Sequence, residues 1–114
     1  MANYKTLIIW QKSDKLAFLV YSLTREFPEC ERFGITSQLR RAALSVPTNI
    51  VEGYNRKSRK DLGRFNDISL GSLAETEYLI EFSKKFGYIK TDTVEIEALE
   101  ADLGKLLWRF KESI

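Results

Sequence analysis

Apolar residues recur at intervals of three and four along most of the chain, which is the spacing of helices and not of strands. The first such segment covers about residues 6–26 and carries one apolar stripe. The stripe consists of Leu16, Leu19, Val20 and Leu23. Phe27-Pro28 ends the segment, because the residue before a proline avoids the α conformation.

A second helix is predicted to start near Thr36 or Ser37, since either hydroxyl could cap it. Pro47 falls inside this segment, where it predicts a kink and not a break. The inward stripe consists of Leu39, Ala42, Ala43, Val46, Ile50 and Tyr54.

The third helix is predicted from Ser58, a capping residue with Asp61 three positions on, to Phe86, where Gly87 provides a stop. It is apolar on two sides, more than a single packed face requires. One side carries Leu62, Phe65, Leu73 and Ile80, and the other carries Ile68, Leu79, Phe82 and Phe86.

The fourth helix opens with Asp92 and Glu95 and carries an apolar stripe at a 3-4-3-4 spacing, typical of antiparallel bundles. The stripe consists of Ile96, Leu99, Leu103, Leu106 and Phe110. The acidic residues of its first half are assigned to outer positions: Glu95, Glu97, Glu100 and Asp102. The four segments predict an all-α fold, an antiparallel up-down four-helix bundle that forms one domain over residues 1–114.

Composition restricts the chemistry. The chain of 114 residues has no histidine and one cysteine, Cys30 between two glutamates. Nucleophile–histidine pairs, histidine-ligated zinc and Glu-x-x-His di-iron sites are thereby excluded, so neither catalysis nor a metal or cofactor is expected. The longest apolar run, Leu7 to Trp10, is too short to span a membrane, and the N-terminus lacks a signal-peptide pattern. A cytoplasmic protein is expected.

The net charge of +2 is unevenly distributed, with +5 in residues 35–65 and −4 in residues 66–114. Five of the basic residues surround the predicted turn before the third helix: Arg56, Lys57, Arg59, Lys60 and Arg64. They form either a solvated turn or a patch that contacts phosphates, which arginines hold bidentately. The sequence lacks a Walker loop, so a mononucleotide site is not indicated.

Polar residues also interrupt the apolar faces of the second and third helices. They are Arg41, Ser45, Asn49, Glu52, Ser72 and Glu75. Two interpretations remain open: a solvated face with small packing residues, or a hydrogen-bonded network between helices or subunits in which Arg41 pairs with Glu75. A buried glutamate would require such a partner. Two carboxylates without further partners are weak evidence for catalysis.

Residues 38–53 read QLRRAALSVPTNIVEG, and Gly71-Ser72-Leu73-Ala74-Glu75 follows about twenty residues later. With Trp10, Phe27-Pro28 and residues 86–89, these motifs resemble the four-helix bundle proteins encoded in intervening sequences of bacterial 23S ribosomal RNA genes. The resemblance covers nearly the whole chain in order. Val51 stands where the family usually has alanine.

The resemblance implies a ring-shaped homopentamer. It also extends to the accessory proteins of diversity-generating retroelements, basic pentamers that bind nucleic acid and a partner reverse transcriptase. Apolar residues outside the main stripes, namely Trp10, Tyr21, Leu70 and Trp108, favour a subunit interface independently. The hypothesis is a non-enzymatic oligomeric accessory protein that binds RNA or DNA. The alternative is a structural or protein-interaction scaffold that binds no nucleic acid.

Overall fold

The computed structural model describes residues 3–114, so the first two positions of the predicted domain lie outside it. The four α-helices are α1 (Ile8–Thr24), α2 (Ile35–Tyr54), α3 (Arg59–Phe86) and α4 (Val94–Ser113). Short 3₁₀ turns occupy Tyr4–Thr6 and Glu29–Glu31. Within the described residues there is no strand, and the predicted all-α four-helix fold is confirmed.

Each helix packs against its neighbours in the order α1, α2, α3, α4 and back to α1. Linkers of ten, four and seven residues join successive helices, which run antiparallel. The molecule measures 43 × 25 × 20 Å. Its long axis matches α3, because 28 residues at about 1.5 Å each extend about 42 Å.

Both ends of α3 form as the sequence predicts. The Ser58 hydroxyl accepts a hydrogen bond from the Asp61 amide at 3.1 Å, which satisfies one of the free donors of the first turn. Gly87 closes the helix with a φ of 91°, a left-handed conformation that favours glycine.

The start of α2 differs from the prediction. The helix begins at Ile35 after Gly34, and neither Thr36 nor Ser37 caps it. The Glu31 carboxylate accepts from the Ile35 amide at 3.2 Å instead. A side chain from the preceding linker therefore takes the capping role, and Thr36 is buried. Within α2 the helix continues through the buried Pro47 without a break.

The core is formed by all four helices and includes seven apolar side chains that are fully buried. They are Leu16, Val20, Leu39, Ala43, Val46, Leu103 and Leu107. In α4 the predicted stripe is wrong beyond Leu103, since Leu107 is buried while Leu106 and Phe110 are only half-buried. A helix of 3.6 residues per turn drifts away from a strict seven-residue repeat, so the buried line moves by four residues there and not by three.

Burial along α3 does not follow the two predicted apolar sides, because Leu79 of the second side is buried together with Leu73 and Ile80 of the first. Leu73, Leu79 and Ile80 are buried in the core. Ile68 and Phe82 are about two-fifths exposed, and Phe86 is 63% exposed. The single chain therefore leaves part of the apolar surface of α3 uncovered.

Candidate nucleic-acid interface

The five basic side chains singled out in the sequence lie together where α2 passes into α3. They are Arg56, Lys57, Arg59, Lys60 and Arg64, called the basic patch below, and all five are exposed. The chain reaches this geometry because α2 ends at Tyr54 and Ser58 caps α3 only four residues later. The patch therefore lies at one end of the bundle.

Two members of the basic patch make ion pairs with acidic residues three or four positions earlier in the chain. An Arg56 Nη2 atom lies 3.4 Å from Glu52 Oε2, and an Arg64 Nη2 atom lies 3.8 Å from Asp61 Oδ1. Such exposed pairs stabilise a fold by only about 0–1 kcal/mol, so an incoming anion can displace them. Within residues 3–114, Lys57, Arg59 and Lys60 form no ion pair.

Phe65 organises the two arginines. The guanidinium carbons of Arg56 and Arg64 lie 5.0 and 5.2 Å from the centre of its ring, within the range of a cation–π contact. These arginines are eight residues apart in the chain and belong to different sides of the turn. The half-buried ring thus holds two guanidinium groups close to the same point of the surface.

The last turn of α4 extends the patch. Because α3 and α4 are antiparallel, this turn lies beside the first turns of α3, and a shallow depression forms between them. Its lining consists of Arg59, Lys60, Gly63, Arg64, Asp67, Lys111 and Ile114. Lys111 Nζ lies 3.0 Å from Asp67 Oδ1. Sequence reasoning missed Lys111 because it is about fifty residues away in the chain, although the antiparallel bundle itself predicts the proximity.

The polar residues between α2 and α3 form a smaller network than predicted. The Asn49 amide donates to the Ser45 carbonyl at 2.8 Å and to its hydroxyl at 2.9 Å. Ser72 Oγ donates to Ser45 Oγ at 2.8 Å, which links α3 to α2. Three of the six predicted members are therefore joined. Glu52 is outside this group, since it pairs with Arg56 of the basic patch.

The predicted pairing of Arg41 with Glu75 does not form within one chain. Both residues line one groove between α2 and α3, but Gln38 Nε2 donates to Glu75 Oε2 at 3.3 Å. Glu75 is exposed, so water solvates its carboxylate and no buried cation is required. Arg41 is exposed as well and makes no ion pair within residues 3–114.

The predicted position of one acidic residue, Glu100, is also wrong. The sequence predicts an outer position for Glu100, yet only 5% of the residue is exposed and its Oε2 atom has no hydrogen-bond partner among the described residues. Burial, and then the nearby Glu77 and Glu97, raise the pKa of Glu100 to about 8. The signal was present: Ile96, Glu100, Leu103 and Leu107 form a 4-3-4 stripe that faces the core.

Three further properties concern metal binding, membrane insertion and the single cysteine. In the part of the chain that the structure describes, no three acidic or cysteine side chains are grouped to hold a metal ion. None of the described helices combines the length and apolar character needed to cross a membrane. Cys30 is exposed with a free thiol.

Comparison with known proteins places these features in a family context. A family model described as 23S rRNA-intervening sequence protein matches residues 5–109. One similar solved structure is a protein of unknown function from the S23 ribosomal protein family of Bacteroides thetaiotaomicron. It shares 25% identity with a TM-score of 0.77, over 91% of this chain and 98% of that one. No curated protein matches the chain.

Proposed function

Because the chain belongs to the 23S rRNA-intervening sequence protein family, we propose that it is a non-enzymatic, oligomeric accessory protein of the cytoplasm that binds RNA or DNA. The basic patch is the binding surface. The observation that carries this proposal is a set of five exposed cations at one end of the bundle, three of them without an ion-pair partner in residues 3–114.

The chemistry of the basic patch suits a phosphate backbone better than a base edge. Arginine and lysine side chains bind phosphates without reading sequence, and affinity then falls steeply with salt. The guanidiniums of Arg56 and Arg64 flank Phe65, where each retains further N–H donors for bidentate contact. Binding is therefore expected to be weakly sequence-specific.

Self-association would repeat the patch and strengthen this binding. An aromatic row on α3 supports an oligomer, since Tyr78, Phe82 and Phe86 are exposed and pack in series with ring centres 6.5 and 5.7 Å apart. Exposed apolar surface of this kind often marks an interface. A homopentamer, the number suggested by the family resemblance, would present five patches to one polyanion, and multivalency would add affinity.

The same aromatic row favours a second candidate function, a scaffold that binds proteins and no nucleic acid. In that case the row and the basic patch would dock partner proteins, the patch taking an acidic one. A reverse transcriptase, as in the related retroelement proteins, could be a partner under either function. The two functions differ in whether the purified chain binds nucleic acid by itself.

The decisive variant replaces Arg56, Lys57, Arg59 and Lys60 together by glutamine. Fluorescence anisotropy with labelled RNA and DNA of unrelated sequences should show a uniform loss of affinity and a salt slope reduced by up to about four. The matched control replaces four exposed cations elsewhere, Lys15, Arg32, Lys85 and Lys90, by glutamine and changes the net charge equally. Equal binding by parent and patch variant at low salt would exclude the patch, and no binding by the parent would favour the scaffold.

A further inference from the structure

A notch between α3 and α4 carries an excess of negative charge. We call it the acidic notch, and its lining consists of Glu77, Ile80, Glu81, Lys84, Glu97, Glu100 and Ala101. Its volume is about 440 Å³, sufficient for a side-chain cation. The Glu100 carboxyl group lines it while being almost completely buried, and its Oε2 atom accepts no hydrogen bond from the described residues.

The cations near the acidic notch are already engaged. Lys84 Nζ lies 2.9 Å from Glu97 Oε2, and the Thr93 hydroxyl donates to the same carboxylate. Lys85 pairs with Glu81 at 3.4 Å. On the α1 side, Lys12 and Lys15 pair with Asp102 and Glu95. Neither Glu77 nor Glu100 has an ion-pair partner in residues 3–114.

This arrangement suits a cation with N–H donors. A buried carboxylate oxygen without a donor is costly, so a group that supplies both charge and a hydrogen bond is favoured. The described acidic residues are not grouped to ligate a metal ion. A guanidinium group fits the need, because it is planar, weakly hydrated and carries five donors.

The opposite side of the bundle presents such groups. Since the helices pack in cyclic order, the α1–α2 side lies across from the acidic notch. Arg25 lies there beside the exposed Phe18 and Leu44, and Arg41 lines the adjoining groove between α2 and α3, which also includes Leu44. Neither arginine makes an ion pair in the described part of the chain. Opposite faces with complementary charge permit a head-to-tail contact, which closes into a ring or continues as a filament.

We propose that the acidic notch receives an arginine side chain, Arg25 or Arg41, from a second copy of this chain. The inference rests on the self-association included in the proposed function and names its contact surfaces. It leaves the basic patch free for nucleic acid, since Lys60 and Glu77 are about 25 Å apart along α3.

The strength of this contact would depend on pH. In the single chain the raised pKa of Glu100 favours the neutral acid. An arginine favours the ionised form, so association would release a proton and strengthen as pH rises from 6 to 9. The charged groups that face Glu100 in the notch are Glu77, Glu81 and Lys84 of α3 and Glu97 of α4.

Sedimentation velocity over a concentration series at pH 6 and pH 9 tests the linkage. Parent self-association should strengthen at pH 9. Glu100→Gln should weaken it at least about tenfold at that pH and remove its pH dependence. Glu112→Gln is the matched control, since it removes an exposed carboxylate elsewhere on α4 and should behave as the parent. Circular dichroism confirms that each variant is folded.

A charge swap provides a second test at exposed positions. Arg25→Glu with Arg41→Glu should abolish association, and adding Glu77→Arg and Glu81→Arg to the same chain should restore it. Association of all notch variants at parent strength would overturn this inference and leave the oligomer standing. A parent that stays monomeric would overturn both the inference and the oligomeric part of the proposed function, while nucleic-acid binding is measured separately.

Discussion

The basic patch and the acidic notch both gather like charges, but they differ in how much water their charged groups retain. Every cation of the patch is exposed, whereas Glu100 in the notch is only 5% exposed. Water solvates Lys57, Arg59 and Lys60, so the absence of an ion-pair partner costs little free energy. The buried carboxylic acid instead shifts its pKa to about 8. Exposure therefore decides whether a charge is available for a ligand or must be neutralised.

The largest expected effect is on how the stability of the fold depends on pH. The pKa of Glu100 is near 4.5 in the unfolded chain and about 8 in the folded one, so between these values the unfolded chain loses its proton first. Stability therefore falls as pH rises through this window and levels off above it. In urea unfolding at low protein concentration, the free energy of unfolding of Glu100→Gln should rise relative to that of the parent by at most about 1.4 kcal/mol per pH unit. A constant difference from pH 5 to pH 8 would contradict the buried acid.

Asn66 is a buried polar residue that, unlike Glu100, has a hydrogen-bond partner. Asn66 is 5% exposed, and its amide donates to the Leu107 carbonyl at 3.0 Å, which ties α3 to α4. Asn66→Ala should lower the free energy of unfolding by about 1–3 kcal/mol, because a buried acceptor loses its donor. Asn55→Ala is the control, since Asn55 is exposed and bonds only within its own helix end. Equal effects in thermal unfolding would contradict the distinction.

Arg41 tests whether an exposed charged side chain can be removed at little cost in stability. A buried pair with Glu75 would make Arg41→Ala cost about 1–3 kcal/mol. The structure places Arg41 at the surface without an ion pair, so the unfolding free energy of the monomer should change by less than about 0.5 kcal/mol. Chemical unfolding at low concentration measures it. A loss above 1 kcal/mol would restore the network interpretation.

The smallest expected stability effect is in the basic patch. Lys57→Gln removes an exposed cation without an ion pair in residues 3–114, so the melting temperature should stay nearly unchanged. The salt slope of nucleic-acid binding should fall by about one, equally for unrelated sequences. A marked change in melting temperature would show that the residue is part of the fold.

The sequence predicts the helices well, because periodicity and end signals such as Ser58 and Gly87 are local. Prediction from sequence fails where the partner of a side chain is distant in the chain, or where the spacing fits two different faces of a helix. Glu31 caps α2 from another turn of chain, and Gln38 reaches Glu75 before Arg41 does. Glu100 illustrates ambiguity, since the spacing in α4 fits both the predicted stripe through Leu106 and the observed stripe through Glu100 and Leu107. The basic patch can be predicted from the sequence, but its extension by Lys111 can be predicted only once the packing of α4 against α3 is known.

The proposed binding of nucleic acid predicts that the purified, nuclease-treated chain rebinds nucleic acid in a salt-dependent way. Anisotropy with a labelled duplex and a labelled single strand, measured from 50 to 200 mM salt, gives the slope of log affinity against log salt. Engagement of the five patch cations of one subunit predicts a slope of about −3 to −5 and similar affinities for unrelated sequences. No binding at 50 mM salt, or a slope near zero, would contradict the account and leave the scaffold as the function.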